Sequence, residues 1–260
     1  MAKSITQTKQ SESEWFVLVV ENAISFLDSS VNNLETSPKN SIIDLYTAIE
    51  LFFKARLMKE HWSLILAKPE EADINKFEIG DFRSVFLTQA HKRLEKISKE
   101  TFDKAAIDNF LKLGMHRNQI VHFAHTDFKE DKAAVIVELW ASWFYMYELL
   151  TNQWSKYFTE YTERLSLINT EIRNNIGYLE SVLIIKAPDI EIEIKKGNQI
   201  VECPSCTLLS ALINKGTPET RIGGVWGNLN TWGRINFPAK KYICLVCNVE
   251  GFKETDSMSV

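Results

Sequence analysis

All four cysteines of this 260-residue chain lie in two Cys-x-x-Cys pairs, "CPSC" at 203–206 and "CLVC" at 244–247, with roughly 37 residues between them. No other feature constrains the fold as much. Each pair offers two sulfurs from one turn, and two such turns supply the four thiolates that zinc takes tetrahedrally. Cys203, Cys206, Cys244 and Cys247 are therefore expected to close a Zn²⁺ site, with strands from "NQIVE" and "KKYI" carrying the turns. A four-thiolate site leaves no open coordination position, so its metal is structural rather than catalytic. The competing reading is a set of reduced or transiently oxidised thiols without metal. Paired spacing of this kind differs from a secreted disulfide framework and suggests a reducing cytoplasm.

The rest of the chain reads differently. From Glu14 to about Tyr178 apolar residues recur at helical spacing, as in "SEWFVLVVENAISFLDSSVNNL". Ser37 is placed to cap a second helix with Pro38 at its first position. Connections between these segments are short, as in bundles. After Ile185 Gly, Pro and Asn become common, and "KAPDIEIEIKKGNQIVE" alternates apolar and charged residues, which predicts strand. The expected fold is mostly α: a polar, frayed tail over 1–13, a helical bundle over 14–186, and a small β-rich zinc-ribbon module over 187–260. The first residues are polar and have the character of neither a signal peptide nor an anchor. The most apolar stretch, "AAVIVELWASWFYMYELL", carries Glu138 and Glu148, and predicts a buried or interface helix rather than a membrane span.

A net charge of −4 and a pI near 5.8 argue against a uniformly basic nucleic-acid coat, while leaving room for a local basic cleft. Between the cysteine pairs, Arg221, Trp226, Trp232 and Arg234 interleave aromatics with cations. Such a set can stack on bases and hold phosphates. It can equally fill the core of a small module, which needs bulky side chains.

One short run raises a chemical question. "LKLGMHRNQIVHFAHTD", residues 111–127, sets Arg117, Asn118 and His122 in an otherwise helical segment, with His116 and His125 on either side. Asn118 and His122 are four apart and share a helix face. Arg117 starts about 100° away, and its long side chain can swing over that face. The trio suits a phosphodiester beside a hydroxyl. His exchanges protons near neutral pH, Arg supplies a permanent planar charge, and Asn orients either partner. With RNA the 2′-hydroxyl is an internal nucleophile, so the chemistry needs no metal. It would leave a 2′,3′-cyclic phosphate and a 5′-hydroxyl. Arg and His at this spacing are also common on plain solvated helices.

"RNQIVHF" resembles the Arg-x(4–6)-His motif of HEPN domains, the helical domains of prokaryotic toxins and defence ribonucleases, in which a polar residue follows the Arg as Asn118 does here. "AIELFFKARLMKEHWSLI" is similar to the second helix of one HEPN branch, and "DFRSVFLTQAHKRLEKI" precedes the motif helix in the matching order. The resemblance covers about residues 14–155. It implies Arg117 and His122 as catalytic residues, Asn118 as support and Glu50 as an acidic residue of the site. It also implies a homodimer with two motifs facing one cleft, RNA as substrate, and a toxin–antitoxin or antiphage setting. Gly114, just before the motif, departs from a uniform helix and predicts a bend or a helix start. His116 stands as a possible second proton-transfer or RNA-contacting group. Glu50 and Lys54, four apart, also fit a simple surface pair. His61 and His91 read as surface or capping residues.

The leading expectation is a homodimeric, metal-independent endoribonuclease whose zinc module recruits RNA or a partner. The alternatives are a non-catalytic HEPN-type module that binds RNA or protein, and a subunit of a defence complex or antitoxin pair that docks through "ELWASWFYMYELL".

Overall fold

Helical periodicity accounts for most of the chain. The computed structural model describes residues 8–123, 132–213, 219–223 and 235–254. The chain divides into two compact units, Met1–Ile172 and Arg173–Val260.

In the first unit, helix α1 spans Glu12–Asn33 and begins with a capping box in which the Ser11 side chain accepts from the Glu14 amide and the Glu14 carboxylate accepts from the Ser11 amide. Helix α2 spans Pro38–Met58, with Ser37 as its N-cap and Pro38 in the first turn. The Ser37 side chain makes no capping bond; its carbonyl accepts the Asn40 and Ser41 amides instead. α1 and α2 meet at two buried serines: Ser30 Oγ donates to the Ser41 carbonyl and Ser41 Oγ to the Ser30 carbonyl. Such small, mutually satisfied residues let the two backbones approach closely.

α2 is buried on most of its circumference, including Ile42, Leu45, Ile49, Phe52, Phe53 and Leu57. It packs against α1, α4 (Leu87–Ile97), α5 (Lys104–His122) and α6 (Lys132–Glu148). Helix α3 is one short turn, Ile74–Glu78. After α6, a single π-helical turn at Leu149–Gln153 leads Trp154 into the core, edge-on to Phe53 at 4.9 Å. The Trp154 Nε1 donates to Glu100 at 2.7 Å, so the indole's polar edge is satisfied. Helix α7, Thr162–Arg173, closes the unit, and its Asn169 accepts from Trp143 Nε1 at 3.0 Å.

Lys132–Gln153 is long and apolar enough by composition to cross a membrane, and half of its apolar window is buried inside the protein. Leu139, Trp140, Trp143 and Met146 are core residues. The expected buried helix is therefore what α6 provides.

The second unit opens with α8, Ile176–Lys195. Among the described residues five antiparallel strands follow: β1 Gln199–Glu202, β2 Leu209–Ile213, β3 Glu219–Gly223, β4 Ile235–Cys244 and β5 Glu250–Glu254. The long β4 organises the sheet. Its first half pairs with β3, and its second half lies between β2 and β5. β1 pairs outward from β2, and α8 packs against β1 and β2.

Two expectations need correction here. The stretch 186–195 is the end of α8, not strand, and Pro188 lies inside that helix. The Ile/Glu alternation does not mark a buried face: Ile190 is buried while Ile192 and Ile194 are exposed. The charges pair at helical spacing instead, Lys195 with Glu191 and Lys196 with Glu193. Gly197, at φ +76, ends the helix, with its amide bonded to the Ile194 carbonyl. A domain boundary at Ala187–Pro188 would cut this helix; the division between units falls at 172/173.

Candidate functional site

α5 runs unbroken from Lys104 to His122, so Gly114 does not start the helix. Its role is contact. A Cβ on Gly114 would sit 2.7 Å from the ring of Tyr46 on α2, so the missing side chain is what lets α5 lie against that ring. One turn further along α5, the Arg117 guanidinium stands 5.8 Å above the centre of the same ring, at cation–π distance. Arg117 Nη1 donates to Asn118 Oδ1 at 2.9 Å, and Arg117 Nε is buried with no acceptor among the described residues.

Tyr46 is in turn tied to Glu50, four residues on. Its hydroxyl is 3.5 Å from Glu50 Oε2, a long contact. Glu50 Oε1 accepts from Lys54 Nζ at 2.7 Å, and Oε2 also lies 3.4 Å from the Leu87 amide, at the first turn of α4. No side chain of α4 caps that end, so the carboxylate from α2 faces amide dipoles that lack a cap of their own. Burial, then the negative charge of Glu50, push the Tyr46 hydroxyl up to about 12, against an opposing pull from Arg117. Tyr46 is thus a neutral spacer between an acid and a guanidinium.

Of the residues singled out in the sequence, Arg117 and Asn118 are brought together directly. Glu50 reaches them through Tyr46, and no ion pair joins Glu50 to Arg117 among the described residues. His122 is exposed on the last residue of α5, one turn beyond Asn118 on the same face. His116 is neither exposed nor turned toward this group: its Nε2 pairs with Glu138 Oε2 of α6 at 2.7 Å. His125 lies outside the described residues. His61 does cap a turn, accepting from the Ser63 amide. His91 is buried, with Nδ1 3.0 Å from the Leu87 carbonyl, so it is a core residue rather than a surface one.

Tyr46 was readable in principle, since it shares the Glu50/Lys54 stripe of α2 at i, i+4 spacing. Gly114 within a strongly helical run also signals a close approach. What sequence does not carry is that these two residues, 68 positions apart, touch.

The second candidate site is the cysteine cluster. Cys203 and Cys206 form the turn between β1 and β2, and Cys244 and Cys247 the turn between β4 and β5. All four are buried, and their sulfurs lie within 4.8 Å of one another, so the group can hold a metal ion. The Cys203–Cys247 and Cys206–Cys244 separations are 3.6 and 3.8 Å, far beyond a disulfide bond. The two turns repeat one design. The residue after each second cysteine, Thr207 or Asn248, takes positive φ, +59 and +53. Its amide donates to the carbonyl of the first cysteine, Cys203 or Cys244.

Further donors point at sulfur. The Cys247 amide lies 3.2 Å from Cys244 Sγ, and the buried Ser210 hydroxyl 3.1 Å from the same atom. Burial pushes this thiol up, yet the Cys247 amide, Ser210 hydroxyl and Val246 amide outweigh it and bring Cys244 down to about 7. Burial dominates at Cys206 and Cys247, whose thiols are raised. Ser210 was not foreseen; nothing in its spacing marks it. Arg221 lies on β3, whose backbone alone is described, and Trp226, Trp232 and Arg234 lie outside the described residues.

No protein-family model, curated protein or solved structure matches the chain.

Proposed function

We propose that the chain is a metal-independent endoribonuclease of HEPN type, acting as a homodimer on RNA in the cytoplasm, in a toxin–antitoxin or antiphage setting. The observation that carries this reading is the arrangement at the end of α5. Arg117 is hydrogen-bonded to Asn118 and held over Tyr46, with His122 exposed one turn on. In this mechanism His122 takes the proton of a ribose 2′-hydroxyl. The freed oxygen attacks phosphorus, and the bond to the 5′-oxygen breaks as that oxygen takes a proton from water, the hydroxide so formed being neutralised by the protonated His122. Arg117 faces the non-bridging oxygens as their charge grows. Asn118 sets the guanidinium plane. Glu50 acts as a positioning residue through Tyr46, and His116, engaged by Glu138, takes no part.

The cysteine cluster is proposed as a structural zinc site. Zn–S bonds of about 2.3 Å in a tetrahedron set sulfurs about 3.8 Å apart, close to the 3.6 and 3.8 Å found here. When bound, the ion would join the two turns covalently and take no part in the cleavage.

The test is incubation of wild type and His122→Ala with total RNA in excess EDTA, with zinc content checked and new ends mapped. Discrete cuts with 5′-hydroxyl ends, slower by about 10²–10⁴-fold in the variant, are expected. A His122→Ala protein that cuts as fast as wild type would sink the reading.

A second reading has its own observation. Met115, Val121 and Phe123, 64, 47 and 90% exposed, surround the same helix end. Exposed apolar residues beside an arginine also suit a protein-contact face, as in a non-catalytic module or a subunit of a defence complex. Absence of cleavage, with a stable partner lost on Phe123→Ser, would favour it.

A further inference from the structure

Ser210 is the extra residue of a bulge. On β1, Val201 lies opposite Ala211 and Glu202 opposite Leu209, so Ser210 stands unpaired between them. A bulge breaks the alternation of a strand and re-aims a side chain. Here it buries two successive residues, Ser210 and Ala211, whereas the preceding Leu209 is exposed. The Ser210 carbonyl accepts the Leu245 amide at 2.9 Å, which ties this point of β2 to the second cysteine turn. Its hydroxyl then lies 3.1 Å from Cys244 Sγ and 3.8 Å from Cys206 Sγ, one sulfur from each turn.

The direction of the shorter contact follows from the chemistry of a ligand sulfur. A coordinating thiol has lost its proton, so it can only accept, and the hydroxyl is the donor. The Leu208 carbonyl, 3.3 Å from Ser210 Oγ, competes for the same proton. An ionised acceptor draws a proton more strongly than a neutral one. The Cys247 amide, 3.2 Å from Cys244 Sγ, approaches the same sulfur as a second donor. Groups that hydrogen-bond to metal ligands fix the ligand's orientation and tune the metal it holds.

We infer that Ser210 is a positioning residue of the metal site, its hydroxyl donating to the metal-bound Cys244 thiolate. The inference rests on the proposed zinc site and is independent of the cleavage chemistry. Its rival is a purely structural serine whose proton stays on the Leu208 carbonyl.

The test loads the full chain with Co²⁺ in place of zinc and reads two sets of absorption bands. The ligand-field bands report a tetrahedral four-thiolate site; the sulfur-to-cobalt charge-transfer bands report the electron density on sulfur. Ser210→Ala should keep the first set and move the second to longer wavelength, because a sulfur without its donor gives up charge more easily. Cobalt affinity, by competition with a chromophoric chelator, should fall about 10–100-fold. Ser210→Thr, which restores the hydroxyl, should keep the wild-type bands. Should Ser210→Ala not load, Ser210→Gly removes the same hydroxyl at a bulge, where glycine is tolerated, and should give the same shift. Unmoved charge-transfer bands in a loaded Ala or Gly variant would overturn this inference alone. A shift in Ser210→Thr as large as in Ser210→Ala would do so too, since packing would then be the cause. A wild-type protein that takes up no cobalt would overturn the zinc site and this inference together.

Discussion

Gly114 shows how one missing side chain fixes the geometry of the α5 group. On an exposed helix, Gly→Ala stabilises by up to about 1 kcal/mol through propensity. At Gly114 the new Cβ would enter the Tyr46 ring, at 2.7 Å, and overpacking of this kind costs about 1–3 kcal/mol. Gly114→Ala is therefore expected to lower the urea midpoint with an unchanged slope, and Tyr46→Leu in the same chain to recover most of the loss. A Gly114→Ala protein more stable than wild type would show that the ring moves aside freely. Tyr46 gives a second outcome. Its hydroxyl is raised to about 12 from about 10, so the folded state holds this proton more tightly than the unfolded one. That stability is complete below pH 10 and lost as pH rises toward 12. Tyr145, Tyr161 and Tyr242 are also raised by burial. Tyrosinate absorbance should therefore show one late-titrating group fewer in Tyr46→Phe than in wild type, and that variant should lose less stability across the same window.

The elements divide into those whose sequence speaks for itself and those that depend on distant partners. α1 and α2 were legible because their apolar residues keep one period and because Ser37–Pro38 marks a start that local sterics dictate. α8 was not. Its Ile-Glu-Ile-Glu-Ile run has the period of a strand, and only the ion pairs at helical spacing and the stop at Gly197 favour helix. The cysteine turns were legible in their ligands but not in their backbone. Thr207 sits at φ +59, a conformation that a β-branched residue adopts at a cost of about 1–2 kcal/mol, whereas Asn248 tolerates its counterpart position. Thr207→Gly should remove that strain and raise the stability of this element by about 1 kcal/mol, with metal content unchanged, as read by denaturant titration of the loaded protein. Thr207→Val, equally branched and lacking the hydroxyl bond to the Cys206 carbonyl, should give no gain. A gain from Val as large as from Gly would mean that the positive φ carries no strain.

At the scale of the whole molecule, the two units draw on different sources of stability. Met1–Ile172 buries Phe52, Phe53, Phe110, Trp143, Trp154 and Phe158 in one core, each worth about 1.5–3 kcal/mol of transfer free energy. Among the described residues the sheet of Arg173–Val260 has a smaller apolar core, in which the four cysteines are themselves buried members beside Ala211, Ile213 and Tyr242. Small units of this kind usually need a metal or disulfides to make up the difference, and these thiols form no disulfide. With zinc in the proposed site, metal binding free energy would be folding free energy for the sheet, and α8 packs on β1 and β2 within the same unit. Extraction of the metal, by a thiol-reactive mercurial followed by a chelator and removal of the mercurial, should abolish the sheet's contribution to cooperative unfolding. The bundle's transition should stay where it was. Calorimetry of loaded and stripped protein separates the cases: two transitions that collapse to one unshifted bundle transition fit independent units. A bundle midpoint that falls together with the sheet would show that the two units fold as one. Restoring zinc, but not magnesium, should bring the lost transition back, because thiolates bind the softer ion.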